Sequence, residues 1–153
     1  MPTFYRDPAA PVTNRPRRVG AVALIARDGA LLLEHRSDDR VWGLIGGLVD
    51  DDETVAEAVV REVREETGLD VLGTRLFGVF SDPGRVVQYR DDVYTLLTVV
   101  FEVDVADGEP VLSDESLELR FVRLEELRTL DLFPVHRPIV DAVLARPADV
   151  VVA

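Results

Sequence analysis

The chain has 153 residues, 47% of them hydrophobic and 30% charged, a size and balance that fit one folded domain and exclude a disordered tail. It has no cysteine and only two histidines, His35 and His136, which excludes disulfides, thiolate zinc sites and cysteine nucleophiles and leaves too few imidazoles for a histidine-built metal centre. With 29 acidic against 17 basic side chains the net charge is −12, which opposes any broad nucleic-acid surface, since phosphate neutralisation needs Lys or Arg. All 17 basic residues are arginine.

In chain order, residues 1–17 are rich in Pro and Arg and read as an N-terminal arm outside a single domain of residues 18–153, with a pairing strand in a homodimer as one use for it. Val19–Ala26 is an apolar run, Arg27-Asp28-Gly29-Ala30 a turn, and Leu31–Leu33 a second strand, together a hairpin. Trp42-Gly43-Leu44-Ile45-Gly46-Gly47 follows, its three glycines breaking regular periodicity. Acidic Asp50–Asp52 then precedes a helical pattern from Thr54 to Thr67, with Gly68 placed to end it. Val71–Phe80 reads as strand, Ser81–Asp92 as a long loop, Val93–Val105 as strand and Leu119–Val122 as a short strand. Two small helical patterns, Glu125–Thr129 and Pro138–Ala145, close the chain. The interleaving gives an α/β (α+β) class with a mixed sheet. No apolar run approaches the roughly 20 residues of a membrane span and no signal pattern opens the chain, so the expectation is a cytoplasmic protein without a membrane partner.

The helix carries the chemistry. Advancing about 100° per residue, Glu62, Glu65 and Glu66 share one sector, with small Ala58 above them. Val59, Val63, Ala56 and Val60 form an apolar stripe, and Glu57 and Arg64 point away from it. Like charges at i,i+4 repel, so three crowded carboxylates make sense where cations neutralise them. An all-oxygen donor set selects hard ions such as Mg²⁺ or Mn²⁺, which typically bridge carboxylates to substrate phosphates.

Gly47, Glu53, Arg61-Glu62-Val63, Glu65-Glu66 and Gly68-Leu69 stand at the spacing of the Nudix box, and over residues 47–69 the chain resembles the Nudix hydrolases at every defining position. The Trp-Gly-x-x-Gly-Gly segment before the box and Glu-Leu-Arg-Phe-Val-x-Leu-Glu-Glu-Leu near the end extend the resemblance to residues 18–146. It implies an α/β/α sandwich that hydrolyses a nucleoside diphosphate linked to another moiety. The metal ligands it implies are Glu62, Glu65, Glu66 and the carbonyl of Gly46. Arg61 pairs with Glu53 to hold the loop against the helix, while Gly47, Glu53 and Gly68 are structural. The general base is either Glu62 or a downstream loop glutamate, Glu115 ahead of Glu118. Three positions depart from the usual pattern: Asp50 replaces a glutamate, Ile45 a proline, and Asp52 a glycine, where a left-handed turn is expected to strain the loop.

For substrate contacts the candidates are Arg36 at the end of the second strand, and Arg85, Tyr89 and Arg90 in the 81–92 loop, with Tyr89 stacking on a base and the arginines meeting phosphate. Arg36 reads equally well as a surface ion pair. His35, Trp42 and Phe80 read as structural, and His136 has no evident partner. Phe80-Ser81-Asp82-Pro83 resembles a bacterial ADP-ribose pyrophosphatase-like branch, which favours ADP-ribose or a sugar nucleotide over a (d)NTP. The alternative is a non-catalytic Nudix domain that senses a nucleotide; such domains usually lack box glutamates or carry a DNA-binding module, and this chain does neither.

Overall fold

The computed structural model describes residues 1–153. The strands are β1 (Thr3–Tyr5), β2 (Arg18–Leu24), β3 (Ala26–Arg27), β4 (Ala30–Arg36), β5 (Trp42–Leu48), β6 (Val71–Phe80), β7 (Arg85–Tyr89), β8 (Asp92–Val105), β9 (Ser116–Arg123) and β10 (Val151–Val152), with helices α1 (Val55–Thr67) and α2 (Arg137–Ala145). One mixed sheet runs β1-β7-β8-β2-β5-β4-β3, with β6 added to β8, β9 to β4 and β10 to β6. At its centre β2 pairs parallel with β8 and antiparallel with β5.

Both faces of this sheet are covered, which explains why β2 reads as a continuous apolar run rather than an alternating one. Ala21, Ala23 and Ile25 pack beneath Ala58, Val59 and Val63 of α1. Val22 and Leu24 join Leu31, Leu33 and Val100 under Ile139 and Val140 of α2. The result is an α/β/α sandwich. No helix is long and apolar enough to cross a membrane.

Helix α1 is fixed at both ends. Thr54 Oγ1 accepts from the Glu57 amide at 3.1 Å and Glu57 Oε2 accepts from the Thr54 amide at 2.8 Å, a reciprocal capping box. Gly68 adopts the left-handed conformation that ends the helix. Val60 and Ala56, placed by the wheel in the apolar stripe, are exposed instead, and Val59 and Val63 alone carry the buried stripe.

Several expectations change. The glycine-rich stretch is strand, β5, since Gly43, Gly46 and Gly47 remain in register with β4 and β2. The 81–92 loop is a hairpin: β7 pairs with β8 and turns at Arg90. The arm does not stand outside the fold, because Thr3–Tyr5 add to β7 of the same chain. The final residues return to the sheet as β10 beside β6. The Glu125–Thr129 pattern is a single 3₁₀ turn, Glu126–Arg128. Asp52 is not among the residues with positive φ, so the expected strain is absent there.

Candidate active site

Two glycines of β5 bring α1 and the sheet into contact. A Cβ on Gly46 would stand 2.2 Å from the carbonyl oxygen of Ala21, and its φ of 149° disfavours any side chain. A Cβ on Gly47 would stand 2.4 Å from Glu62 Oε1. The strand therefore presents bare backbone to the carboxylates of α1.

Glu66 is buried, and its Oε2 accepts from the Gly46 amide at 3.0 Å. Glu62 accepts from Arg61 at 2.8 Å. A third carboxylate stands with them: Glu34 of β4, 1% exposed, accepts at 2.5 Å from the hydroxyl of Ser116 at the start of β9. Burial raises the pKa of Glu66 well above the usual glutamate range, and the charges of Glu34 and Glu62 add to the effect. Burial likewise raises Glu34 and Glu62. The cluster concentrates negative charge that the protein itself only partly neutralises.

Arg61 is the main cation on the helix side. It reaches Glu53 at 2.6 Å, Glu62 at 2.8 Å and Glu65 at 3.2 Å, and donates to the carbonyl of Leu48 at 3.1 Å. Its fork ties the loop before α1 to the end of β5. The Arg61 hydrogen bond draws Glu53 down to about 2. Glu65 is set apart from the other box glutamates, since its side chain is 59% exposed and its only ion pair is with Arg61.

The downstream glutamates separate. The carbonyl of Glu115 accepts from the amide and hydroxyl of Ser37, at 3.1 and 2.9 Å. This pins the loop before β9 beside β4, and the charge of Glu115 is felt at both Glu62 and Glu34. Glu118 lies in β9 opposite His35 and faces Arg120 at 3.7 Å.

A cavity of about 460 Å³ opens beside Glu34, Gly46 and Gly47 and extends beneath β2, β8, β7 and β1, within the usual size range of small-ligand sites. Arg36 and Tyr89 line it. Arg36 also forks onto Asp38 at 3.0 Å and stands 3.9 Å from Glu34. Arg90 lies over the ring of Tyr89, 5.2 Å from its centre, and does not line the cavity.

The expectation for Arg85 fails. Its side chain is fully buried, and its guanidinium donates to the carbonyls of Phe80, Leu96 and Val135, so it ties strands together and is not free to meet phosphate. His136 does have a partner, as Nδ1 accepts from the Leu44 amide at 3.1 Å. Phe80 is core, and Trp42 stacks on His35 with ring centres 4.8 Å apart. Sequence reasoning missed Glu34, whose partner Ser116 is 82 residues away.

The NUDIX domain family model matches residues 14–143. The chain belongs to the Nudix hydrolase family. Among its relatives is an ADP-ribose pyrophosphatase from Methanocaldococcus jannaschii, 38% identical over 115 residues, which are 73% of this chain but only 65% of that one. A nucleoside triphosphatase, NudI, from Escherichia coli is 35% identical over 119 residues, 71% of this chain and 84% of the relative. Among solved structures, a MutT Nudix hydrolase from Burkholderia pseudomallei superposes with a TM-score of 0.71 at 30% identity, covering 85% of this chain and 99% of that one.

Proposed function

We propose that this Nudix chain is a pyrophosphohydrolase dependent on Mg²⁺ or Mn²⁺. Its substrate is a nucleoside diphosphate linked to another moiety, with ADP-ribose or a sugar nucleotide ahead of a (d)NTP, and water splits the anhydride into a phosphomonoester and a second phosphate product. One observation carries the reading: the buried carboxylates of Glu66, Glu34 and Glu62 gather beside a ligand-sized cavity, with Arg61 on Glu62 and Arg36 3.9 Å from Glu34 as the only nearby cations. The names of the two relatives, a pyrophosphatase and a triphosphatase, support the same chemistry.

The donor set fits a hard divalent ion, being carboxylate oxygen throughout with the Gly46 backbone alongside. No group of three or more His, Cys, Asp or Glu side chains is arranged to hold a metal ion by itself, so an ion here would need further ligands from water and substrate phosphate. Glu62 and Glu66 would hold it, and Glu65 joins only by releasing Arg61. Such an ion neutralises charge at phosphorus and lowers the pKa of a bound water. The chain's own residues do the rest. Arg61 and Glu53 fix the helix against β5, and the Gly46 amide orients Glu66. Glu115, on a loop pinned by Ser37, takes the proton of the attacking water, and Glu62 is the second candidate for that role. Arg36 and Tyr89 meet the substrate in the cavity, and Arg90, which lies over the Tyr89 ring outside it, supports Tyr89.

The test is a panel of nucleotide sugars, ADP-ribose and (d)NTPs with Mg²⁺ or Mn²⁺. Phosphomonoester release from at least one is expected, with Glu115→Gln flattening the acid limb of the pH–rate profile if Glu115 is the base. Nucleotide binding without turnover in either metal would establish a sensor instead.

A further inference from the structure

Arg36 enters the cavity wall where the pairing of β4 with β9 loses register. His35 stands opposite Glu118 and Arg36 opposite Ser116, so Leu117 is the extra residue of a bulge, a device that re-aims side chains beside functional sites. The chain then reverses at once. The Arg36 amide donates to the carbonyl of Val41 and the Arg40 amide to that of Arg36, each at 3.1 Å. Ser37 fastens the same turn to the backbone of Glu115.

Within this turn Asp38 takes hold of Arg36. Arg36 Nε and Nη2 donate to the two oxygens of its carboxylate, both at 3.0 Å, the planar two-bond pairing that suits a guanidinium best. Asp38 Oδ1 also accepts from the Asp39 amide at 2.9 Å, so the carboxylate is itself oriented. The Arg36 hydrogen bonds hold the Asp38 carboxyl below its usual range, and the pair stays ionised at neutral pH. The ring of Phe133, 6.0 Å from the guanidinium carbon, flanks the fork. One edge of Arg36 is thereby occupied and the other is not. Its Nη1 makes no hydrogen bond within the protein, and Glu34 Oε2 stands 3.9 Å from it, too far to accept one. That gap is held open by Asp38. A flexible arginine beside a buried carboxylate is drawn onto it, because opposite charges attract strongly away from water. Without Asp38, Arg36 closes on Glu34 and its free edge is lost.

We propose that Asp38 is a positioning residue of the substrate site: its carboxylate holds Arg36 off Glu34 and keeps the Nη1 edge free for a substrate phosphate in the cavity that Arg36 lines. The proposal rests on the nucleotide reading above and gives the Arg36–Asp38 ion pair a function within it.

The test is a double-mutant cycle on the affinity for ADP, measured by calorimetry with Mg²⁺ present, in the wild type, Asp38→Asn, Arg36→Gln and the double variant. Asparagine can still accept from the Asp39 amide, but it loses the charge and the second bond to Arg36. Asp38→Asn should weaken ADP binding about threefold to tenfold, and Arg36→Gln about tenfold or more. In the Arg36→Gln background, Asp38→Asn should change nothing further, because Asp38 acts only through the arginine. A merely structural aspartate would weaken binding by the same factor in both backgrounds, and that result overturns the proposal. On a hydrolysed nucleotide, Asp38→Asn should raise KM and leave kcat within about twofold of the wild type; a fall in kcat at unchanged KM overturns it too. Wild-type protein that binds no ADP overturns the nucleotide reading and this assignment together. ADP binding that Asp38→Asn leaves unchanged overturns the assignment alone. ADP binding without hydrolysis of any nucleotide, with the cycle as expected, overturns the hydrolase reading and supports the role of Asp38.

Discussion

Two regions of this molecule bury charge, and they do so differently. Where α1 meets β5, Glu34, Glu62 and Glu66 lie together with one amide, one hydroxyl and part of Arg61 as donors. Beneath β7, Arg85 is buried without a carboxylate, but its fork is met by the carbonyls of Phe80, Leu96 and Val135. The cation has its hydrogen bonds supplied by the fold, while the anions repel one another and are under-supplied. A buried charge whose partners are complete holds architecture together. Buried charges of one sign left short of partners mark the place where a ligand completes the structure.

The largest expected effect breaks the acidic side of this contrast. Glu66→Gln should lower the metal-dependent rate at least about 10²-fold, since it removes a charge that would hold the ion and orient the phosphate. The same change should stabilise the metal-free protein at neutral pH. The wild-type carboxyl has a folded pKa raised above its ordinary 4.5, so its stability contribution is full below that value and is lost as pH rises through the folded pKa. Thermal melts of both proteins at pH 4 and pH 8, in EDTA, check this: the two should agree at pH 4 and diverge in favour of Gln at pH 8.

Arg85→Met breaks the other side. It leaves three carbonyls without their donor in a dry interior, and about 3 kcal/mol or more of stability should be lost, read as a lower denaturant midpoint. Unchanged stability with a raised KM would instead return Arg85 to the substrate.

The contrast also explains what could be read from the sequence. Most box residues were legible because they are local: Arg61, Glu62, Glu65 and Glu66 sit within α1, whose period can be read directly, and Gly68 ends it. The sandwich was expected from the Nudix resemblance, and the apolar run of β2 agrees with it, since that strand is covered on both faces. Glu34 was not legible, since it follows three leucines in a strand and is drawn into the site only when β9 delivers Ser116. Arg85 looked like a loop residue because Asp82-Pro83-Gly84 before it and Asp91-Asp92 after it carry turn signals, and those turns close a hairpin rather than a loop. The arm looked external because its prolines hid a three-residue strand whose partner lies some eighty residues on.

A smaller effect concerns His136, the neighbour whose charged form Arg85 further disfavours. Its folded pKa is pushed down to about 3 from 6.5, so its contribution is full above pH 6.5 and is lost as pH falls toward 3, by up to about 1.4 kcal/mol per pH unit. His136→Gln should flatten the acid side of the stability curve between pH 6 and 4. An unchanged acid limb would mean that burial does not hold the ring neutral.

The smallest expected effect sharpens the contrast within the acidic group itself. Glu65 belongs to the same box as Glu62 and Glu66, yet its carboxylate is largely in water and shares Arg61 with two other glutamates. An exposed pair of this kind contributes about 0.5 kcal/mol at most. Glu65→Gln should therefore leave the melting temperature nearly unchanged, at every pH at which Glu66→Gln alters it. The rate should fall about tenfold, the lower end of the range for groups that act around a metal's ligands rather than as one. A loss as large as that of Glu66→Gln would show that Glu65 leaves Arg61 when the ion binds, and that burial in the ion-free state does not rank these carboxylates.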